Sequence, residues 1–171
     1  MDKQELESIL KKSLALEEKG YKWYTEGSAR IKNSLGRRML KRLAEDELNH
    51  IRRIKAIYES LTNNKLDDIK IEKPEMAVFD DLFKRMKDQL EEALEEMTEV
   101  GVDDEEIINV ALELEANSRF YYEEAAQKAS DDMVKQFYDL LAKEEKSHQE
   151  LLQRTNEYLA NPSLFFGMDG R

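Results

Sequence analysis

Apolar positions recur every three or four residues along four long stretches of this chain, a spacing that predicts amphipathic helices. Leu6, Ile9, Leu10, Leu14, Leu16, Tyr21 and Tyr24 mark the first helix, expected over about residues 2–32. Asn33-Ser34-Leu35-Gly36 then offers a turn with an N-cap candidate, and Leu40, Leu43, Ala44, Leu48, Ile51, Ile54 and Ile57 carry a second helix to about Leu61. A turn this short makes the two helices antiparallel neighbours. From Thr62 to Lys73 the pattern dissolves, and Pro74 follows as a breaker. Helical spacing returns over about residues 76–99, through Val78, Leu82, Met86, Leu90, Leu94 and Met97. Gly101 and a capping position at Asp103-Asp104 stop and restart the chain. A third long helix is expected over about 104–129 and a fourth over about 132–160, joined at Ser130-Asp131-Asp132. The tail, 161–171, holds Leu164-Phe165-Phe166 and is apolar enough to dock on the body.

The chain also repeats itself at an offset of 98 residues. Leu14 aligns with Leu112, Leu16 with Leu114, Glu17 with Glu115, Tyr24 with Tyr122, Leu43 with Leu141, Ala44 with Ala142, Glu47 with Glu145 and His50 with His148. Each half is one helical hairpin, and a hairpin alone leaves its apolar stripe exposed. Two of them pack into a four-helix bundle. The predicted fold is therefore all-α and a single domain over 1–171: hairpin 2–61, a long crossover with a short helix over 62–103, hairpin 104–160 and the tail 161–171.

Composition narrows the function. A formal charge of −11 repels phosphate backbones and anionic lipid, so neither a nucleic-acid nor a membrane-surface partner is expected. No apolar run reaches the roughly 20 residues of a membrane helix. The N-terminus Met1-Asp2-Lys3-Gln4-Glu5 has neither the basic nor the apolar region of a signal peptide, which predicts a cytoplasmic location. The absence of Cys removes disulfides, thiolate nucleophiles, Cys-held zinc and iron–sulfur clusters together. Any metal must be held by nitrogen and oxygen.

Both histidines of the chain sit in one setting, Glu47-Leu48-Asn49-His50 and Glu145-Lys146-Ser147-His148. Residues at i and i+3 share a helix face, so carboxylate and imidazole can reach the same ion. With 25 Glu in 171 residues, two such coincidences arise by chance only about once in fifty. A second regularity is independent of the first: Glu17 and Glu115 each lie 30 residues before a motif Glu. At 1.5 Å per residue, the climb from Glu17 to the turn and the return to Glu47 cover about 23 and 18 Å, so the two carboxylates end at similar heights. Four carboxylates and two imidazoles can thus converge at mid-bundle. Unneutralised, the carboxylates would repel one another and pay several kcal/mol each in desolvation. Two divalent metals would offset the four charges, and a carboxylate–imidazole set without thiolate suits iron or manganese, with zinc as another occupant. Glu18, Glu45, Glu113 and Glu144 fall off the converging face and are expected as surface charges. Tyr24 and Tyr122 serve either as core aromatics or as phenol donors to the carboxylates. Trp23 and Tyr121 read as packing.

The segments Leu14-Ala15-Leu16-Glu17 through Trp23-Tyr24, Leu43-Ala44-Glu45-Asp46-Glu47-Leu48-Asn49-His50, Leu112-Glu113-Leu114-Glu115 through Tyr121-Tyr122, and Leu141-Ala142-Lys143-Glu144-Glu145-Lys146-Ser147-His148 resemble the ferritin-like diiron carboxylate superfamily, and within it the rubrerythrin-like proteins. The resemblance covers about residues 5–166. It implies that Glu47 and Glu145 bridge two irons, that Glu17 with His50 and Glu115 with His148 complete the ligation, and that Tyr24 and Tyr122 support the carboxylates. Two departures stand out. The rubredoxin domain that supplies electrons in rubrerythrin proper needs Cys, so the resemblance implies a separate electron-donor protein here. The extra carboxylate that rubrerythrin carries one turn after the third-helix Glu is Ser118, leaving a more symmetric set of four Glu and two His.

The reading that follows is a diiron oxidoreductase that reduces peroxide or O₂. Iron handling by ferroxidase activity and storage is the alternative, and a metal-free helical interaction protein the third. The apolar stripes and tail suggest a homodimer.

Overall fold

A computed structural model describes residues 3–62 and 103–161, and every regular element among them is an α-helix. We number them α1 (Lys3–Arg30), α2 (Ser34–Thr62), α3 (Asp104–Lys128) and α4 (Asp132–Ala160). The ends of these four helices agree with the expected ones to within two residues. The expected crossover helix over 76–99 and the docking tail at Leu164-Phe165-Phe166 lie outside the described residues. No helix among the described residues is long and apolar enough to cross a membrane.

Side-chain chemistry at the turns explains where two of the helices begin. Asn33 caps α2, its Oδ1 accepting from Gly36 N at 3.0 Å. Asp131, 98 residues later, caps α4 by accepting from Met133 N at 2.9 Å and Val134 N at 3.0 Å. The capping position expected at Asp103-Asp104 works differently. Asp103 makes no side-chain capping bond, while Asp104 is buried and turns to the neighbouring hairpin. Its two oxygens accept from Lys32 N at 3.0 Å and Asn33 N at 2.9 Å. The α1–α2 turn buries backbone donors that its own residues leave unserved, and a carboxylate at the start of α3 satisfies them. Asp104, Glu105 and Glu106 also place negative charge at the positive end of the α3 dipole.

Each hairpin packs tightly on itself, α1 on α2 and α3 on α4, and the hairpins meet mainly along α1 and α3. Glycine permits a close approach there: a Cβ on Gly27 would lie 3.0 Å from Ile107 and 3.2 Å from Leu40. The apolar core falls into two clusters. One contains Tyr24, Met39, Leu40, Leu43, Ile108 and Leu152, and the other contains Leu6, Leu10, Ile54, Tyr122, Phe137 and Leu141. Repeat partners fall on opposite sides of this division: Tyr24 and Tyr122, Leu43 and Leu141, Ala44 and Ala142. The hairpins are therefore related by an approximate two-fold axis that crosses the bundle between the clusters.

Asp104→Ala removes the acceptor of two buried N–H groups and should cost about 1–3 kcal/mol, the penalty for leaving such donors unserved. Chemical denaturation of the metal-free protein checks this. An unchanged midpoint would show that the turn does not depend on α3.

Candidate metal centre

Between the two apolar clusters lies a polar belt. Glu17 on α1, Glu47 and His50 on α2, Glu115 on α3, and Glu145 and His148 on α4 are all at most 3% exposed. All six residues singled out by spacing converge at this level. They form two overlapping groups, Glu17, Glu47, His50 and Glu145, and Glu47, Glu115, Glu145 and His148, each with one donor atom per residue within 4.8 Å of the others.

Atom by atom, the sharing is orderly. His50 Nδ1 lies 2.9 Å from Glu17 Oε2, 3.1 Å from Glu145 Oε1 and 3.6 Å from Glu47 Oε2. His148 Nδ1 lies 3.4 Å from Glu115 Oε2, 3.4 Å from Glu145 Oε2 and 3.9 Å from Glu47 Oε1. Glu47 and Glu145 thus each present one oxygen to either imidazole, while Glu17 and Glu115 present one oxygen each to their own. The imidazole rings stack at 5.6 Å, inclined by 18°. Gly20 allows α1 to pass close by, since a Cβ there would touch the Glu47 carboxyl carbon at 3.4 Å.

The remaining oxygens of Glu17 and Glu115 are occupied by phenols, across the hairpins rather than along one helix. Tyr122 on α3 donates to Glu17 Oε1, and Tyr24 on α1 donates to Glu115 Oε1. Burial first, then the surrounding carboxylates, pushes both phenols well above their ordinary range and keeps them as donors.

Behind each imidazole stands a further carboxylate. His50 Nε2 lies 3.2 Å from Glu144 Oε2, and His148 Nε2 lies 3.6 Å from Asp46 Oδ2. Glu144, expected on the surface, is instead buried and bonded by Arg53 of α2. Glu18, Glu45 and Glu113 are exposed as expected. Asp46 is held by Arg42, whose Nε donates to Oδ2 at 3.2 Å. Burial opposes ionisation of both acids, but the imidazoles and arginines outweigh it, and both lie below the ordinary carboxylate range. A carboxylate on Nε2 orients the ring and directs Nδ1 inward, as partners of metal-bound histidine do. One signal in the sequence marks this pair: Asp46 and Glu144 are 98 residues apart and each immediately precedes a motif Glu.

Without a cation, the cluster is neutralised by protons. Burial, reinforced by Glu17 and Glu145, pushes Glu47 well up, and burial with Glu145 does the same to Glu115. Burial also raises the cost of charge on Glu145, but a hydrogen bond from Glu115 and the neighbouring imidazoles hold it well below the ordinary value. Burial disfavours charged imidazole, yet the facing carboxylates prevail and raise both His50 and His148. Glu115 Oε2 and Glu145 Oε1 are buried and accept no hydrogen bond. Buried acceptors aimed into a cluster of oxygen and nitrogen donors suit a hard or borderline divalent cation.

A family model for rubrerythrin matches residues 8–156, a span that contains all six of these residues and both tyrosines. No curated protein and no solved structure matches the chain.

Two outcomes follow from the protons. Metal entry should displace up to four of them, from Glu47, Glu115, His50 and His148, so affinity should rise with pH. Calorimetric titration in buffers of different ionisation enthalpy counts them, and zero release would contradict the charge assignment. Stability of the metal-free protein should move the other way. The raised histidines stabilise it below their unfolded value near 6.5, and this contribution is lost as pH rises through their raised values. Glu47 and Glu115 act in the same direction, so the melting temperature should fall from mildly acidic to alkaline buffer.

The histidine partners give a separate test. Asp46→Ala and Glu144→Ala should each weaken metal binding about 10- to 100-fold while leaving the six inward-facing donors in place. Competition titration with a chromophoric chelator measures this, and unchanged affinity in both variants would remove the orienting role.

Proposed function

Because the chain belongs to the rubrerythrin family, we propose that its buried centre holds two iron ions and reduces peroxide or O₂ with electrons from a separate donor protein. The observation that carries this reading is the division of oxygens at Glu47 and Glu145. Each offers one oxygen to the His50 side and one to the His148 side, the arrangement two bridging ligands require. Glu17 with His50 would complete one metal position and Glu115 with His148 the other. Manganese or zinc would fit the same donors. When bound, the iron pair would supply two electrons to an oxygen–oxygen bond, chemistry that no side chain here provides.

The residues contribute positioning, charge and dryness. Tyr24 and Tyr122 restrain Glu115 and Glu17, so that each terminal carboxylate has one oxygen committed to a phenol and one turned inward. Glu144 with Arg53, and Asp46 with Arg42, fix the imidazoles. The apolar clusters on either side exclude water, which strengthens every electrostatic contact inside. The extra carboxylate of rubrerythrin proper is replaced by the partly buried Ser118. The proposed ligand set therefore stays symmetric. Because this chain contains no Cys, it holds no thiolate-bound iron of its own to relay electrons.

Anaerobic loading with ferrous iron should reach about two ions per chain, one per group of four donors. Added peroxide should then generate a ferric absorption band and be consumed repeatedly when reductant is present. Glu145→Ala, which removes a shared ligand, should abolish both. Oxidation no faster than that of free iron in the same buffer would sink the proposal, and a single round that ends with retained ferric product would point to iron storage instead.

A further inference from the structure

The two halves of the bundle carry the same residue types at the metal centre but hold their histidines differently. Glu144 Oε2 takes two contacts from one helix: Arg53 Nη2 of α2 donates to it at 2.5 Å, and His50 Nε2, three residues earlier on α2, lies 3.2 Å from it. Residues three apart share a helix face, so Arg53 and His50 close on the α4 carboxylate together. Arg53 is 22% exposed there and Glu144 10%. On the other side, Asp46 is one methylene shorter than Glu144. Arg42, on the same helix as Asp46 and 40% exposed, engages both of its oxygens, at 3.2 and 3.1 Å. Asp46 Oδ2 then stops 3.6 Å from His148 Nε2, beyond the usual range of an N–H···O hydrogen bond.

The repeat accounts for the difference. Asp46 and Glu144 are 98 residues apart, but the counterpart of Arg53 is Leu151 and that of Arg42 is Leu140. Leu151 is buried in the apolar core, so the matching position on α4 sends no cation across to Asp46. An ion pair on one exposed helix face is weak and screened by salt, whereas a pair drawn between two helices and largely out of water is screened much less. Donor spacing on the inner side divides the same way. The two carboxylate oxygens nearest His50 Nδ1 lie at 2.9 and 3.1 Å, and the two nearest His148 Nδ1 both lie at 3.4 Å. Neighbouring donors at right angles around an ion with bonds of about 2.1 Å are about 3 Å apart. The His50 side already has that spacing. The phenols do not separate the two sides, since each terminal carboxylate has one.

We propose that the two metal positions are unequal: the His50 position takes the first divalent ion, the His148 position takes the second, and Arg53 sets this order by holding Glu144 against His50. This rests on the two-metal reading above. Arg53 is none of the six proposed ligands and acts as a positioning residue, through Glu144, on the His50 ring. A ring whose outer nitrogen is already fixed presents Nδ1 with little further loss of side-chain freedom, whereas His148 must be oriented as its ion binds. Losing such a partner costs about 10- to 100-fold in metal affinity, so the His50 position should be at least about tenfold the tighter.

Because the chain has only two histidines, the order can be read directly. Metal-free full-length protein, isotopically labelled at its histidine ring nitrogens, is titrated with zinc, which has no redox chemistry, and followed by nuclear magnetic resonance. In the wild type, the first equivalent should shift the His50 nitrogens at least about ten times as fully as those of His148, which respond to the second. Arg53→Gln keeps all six proposed ligands and should let the two histidines share the first equivalent. Arg53→Lys, which returns a cation to Glu144, should restore the order in part, and Arg42→Gln should leave His50 first. Thermal melts of the metal-free variants check that each is folded. Parallel shifts in the wild type, His148 responding first, or an unchanged order in Arg53→Gln would each overturn the proposal and leave the two-metal reading standing. Uptake that ends at one zinc per chain overturns both.

Discussion

Six ionisable side chains buried at one level of a narrow bundle set the terms for everything around them. Moving a single charge out of water costs several kcal/mol even after relaxation, and here four carboxylates and two imidazoles are taken in together. The energy is tolerable only if charges cancel locally. Protons do this in the metal-free protein, with Glu47 and Glu115 pushed toward the neutral acid and both histidines toward the cation. A pair of divalent cations would do it without protons. That exchange links folding, pH and metal affinity in one equilibrium.

The surrounding structure is arranged to hold that cluster. The apolar core is split into two clusters on either side of the belt, so hydrophobic burial clamps the polar layer from both ends. The approximate two-fold axis makes the supporting contacts reciprocal. Tyr24 from the first hairpin serves Glu115 in the second, and Tyr122 returns the contact to Glu17. Asp46 from the first hairpin faces His148, and Glu144 from the second faces His50. Each hairpin thus supplies contacts on which the other hairpin's belt residues depend. Asp104 adds a third cross-hairpin tie at the α1–α2 turn.

Symmetry is kept where ions would be bound and given up where the two sides of the centre meet their surroundings. Arg53 reaches Glu144 across the hairpins, whereas Arg42 reaches Asp46 from the same helix. Tyr121 and Tyr138, which pack on Tyr122, are matched in the opposite half by Trp23 and Leu40 at the equivalent positions. The 98-residue repeat accounts for the matched residues of the belt. These differences show where the two copies have diverged.

Much of this was legible in the linear chain, because helical periodicity and a 98-residue repeat are local or strictly periodic signals. The spacing alone located four helices to within two residues. Paired Glu-x-x-His motifs, with a Glu 30 residues before each, picked out all six residues of the polar belt, since positions three apart share a helix face and a hairpin returns equal lengths of chain to the same height. What the chain could not express was which residue meets which across the bundle. Glu144 read as a surface charge because its own helix turns it off the converging face, and only the approach of α2 buries it between His50 and Arg53. Asp104 read as a cap for its own helix, and only the placement of the neighbouring turn gave it two backbone donors to accept. The residue types and their periodicity thus decided the helices and the chemistry. Tertiary packing decided the partners, because a burial cost is incurred, and must be offset, only where another element closes over the group.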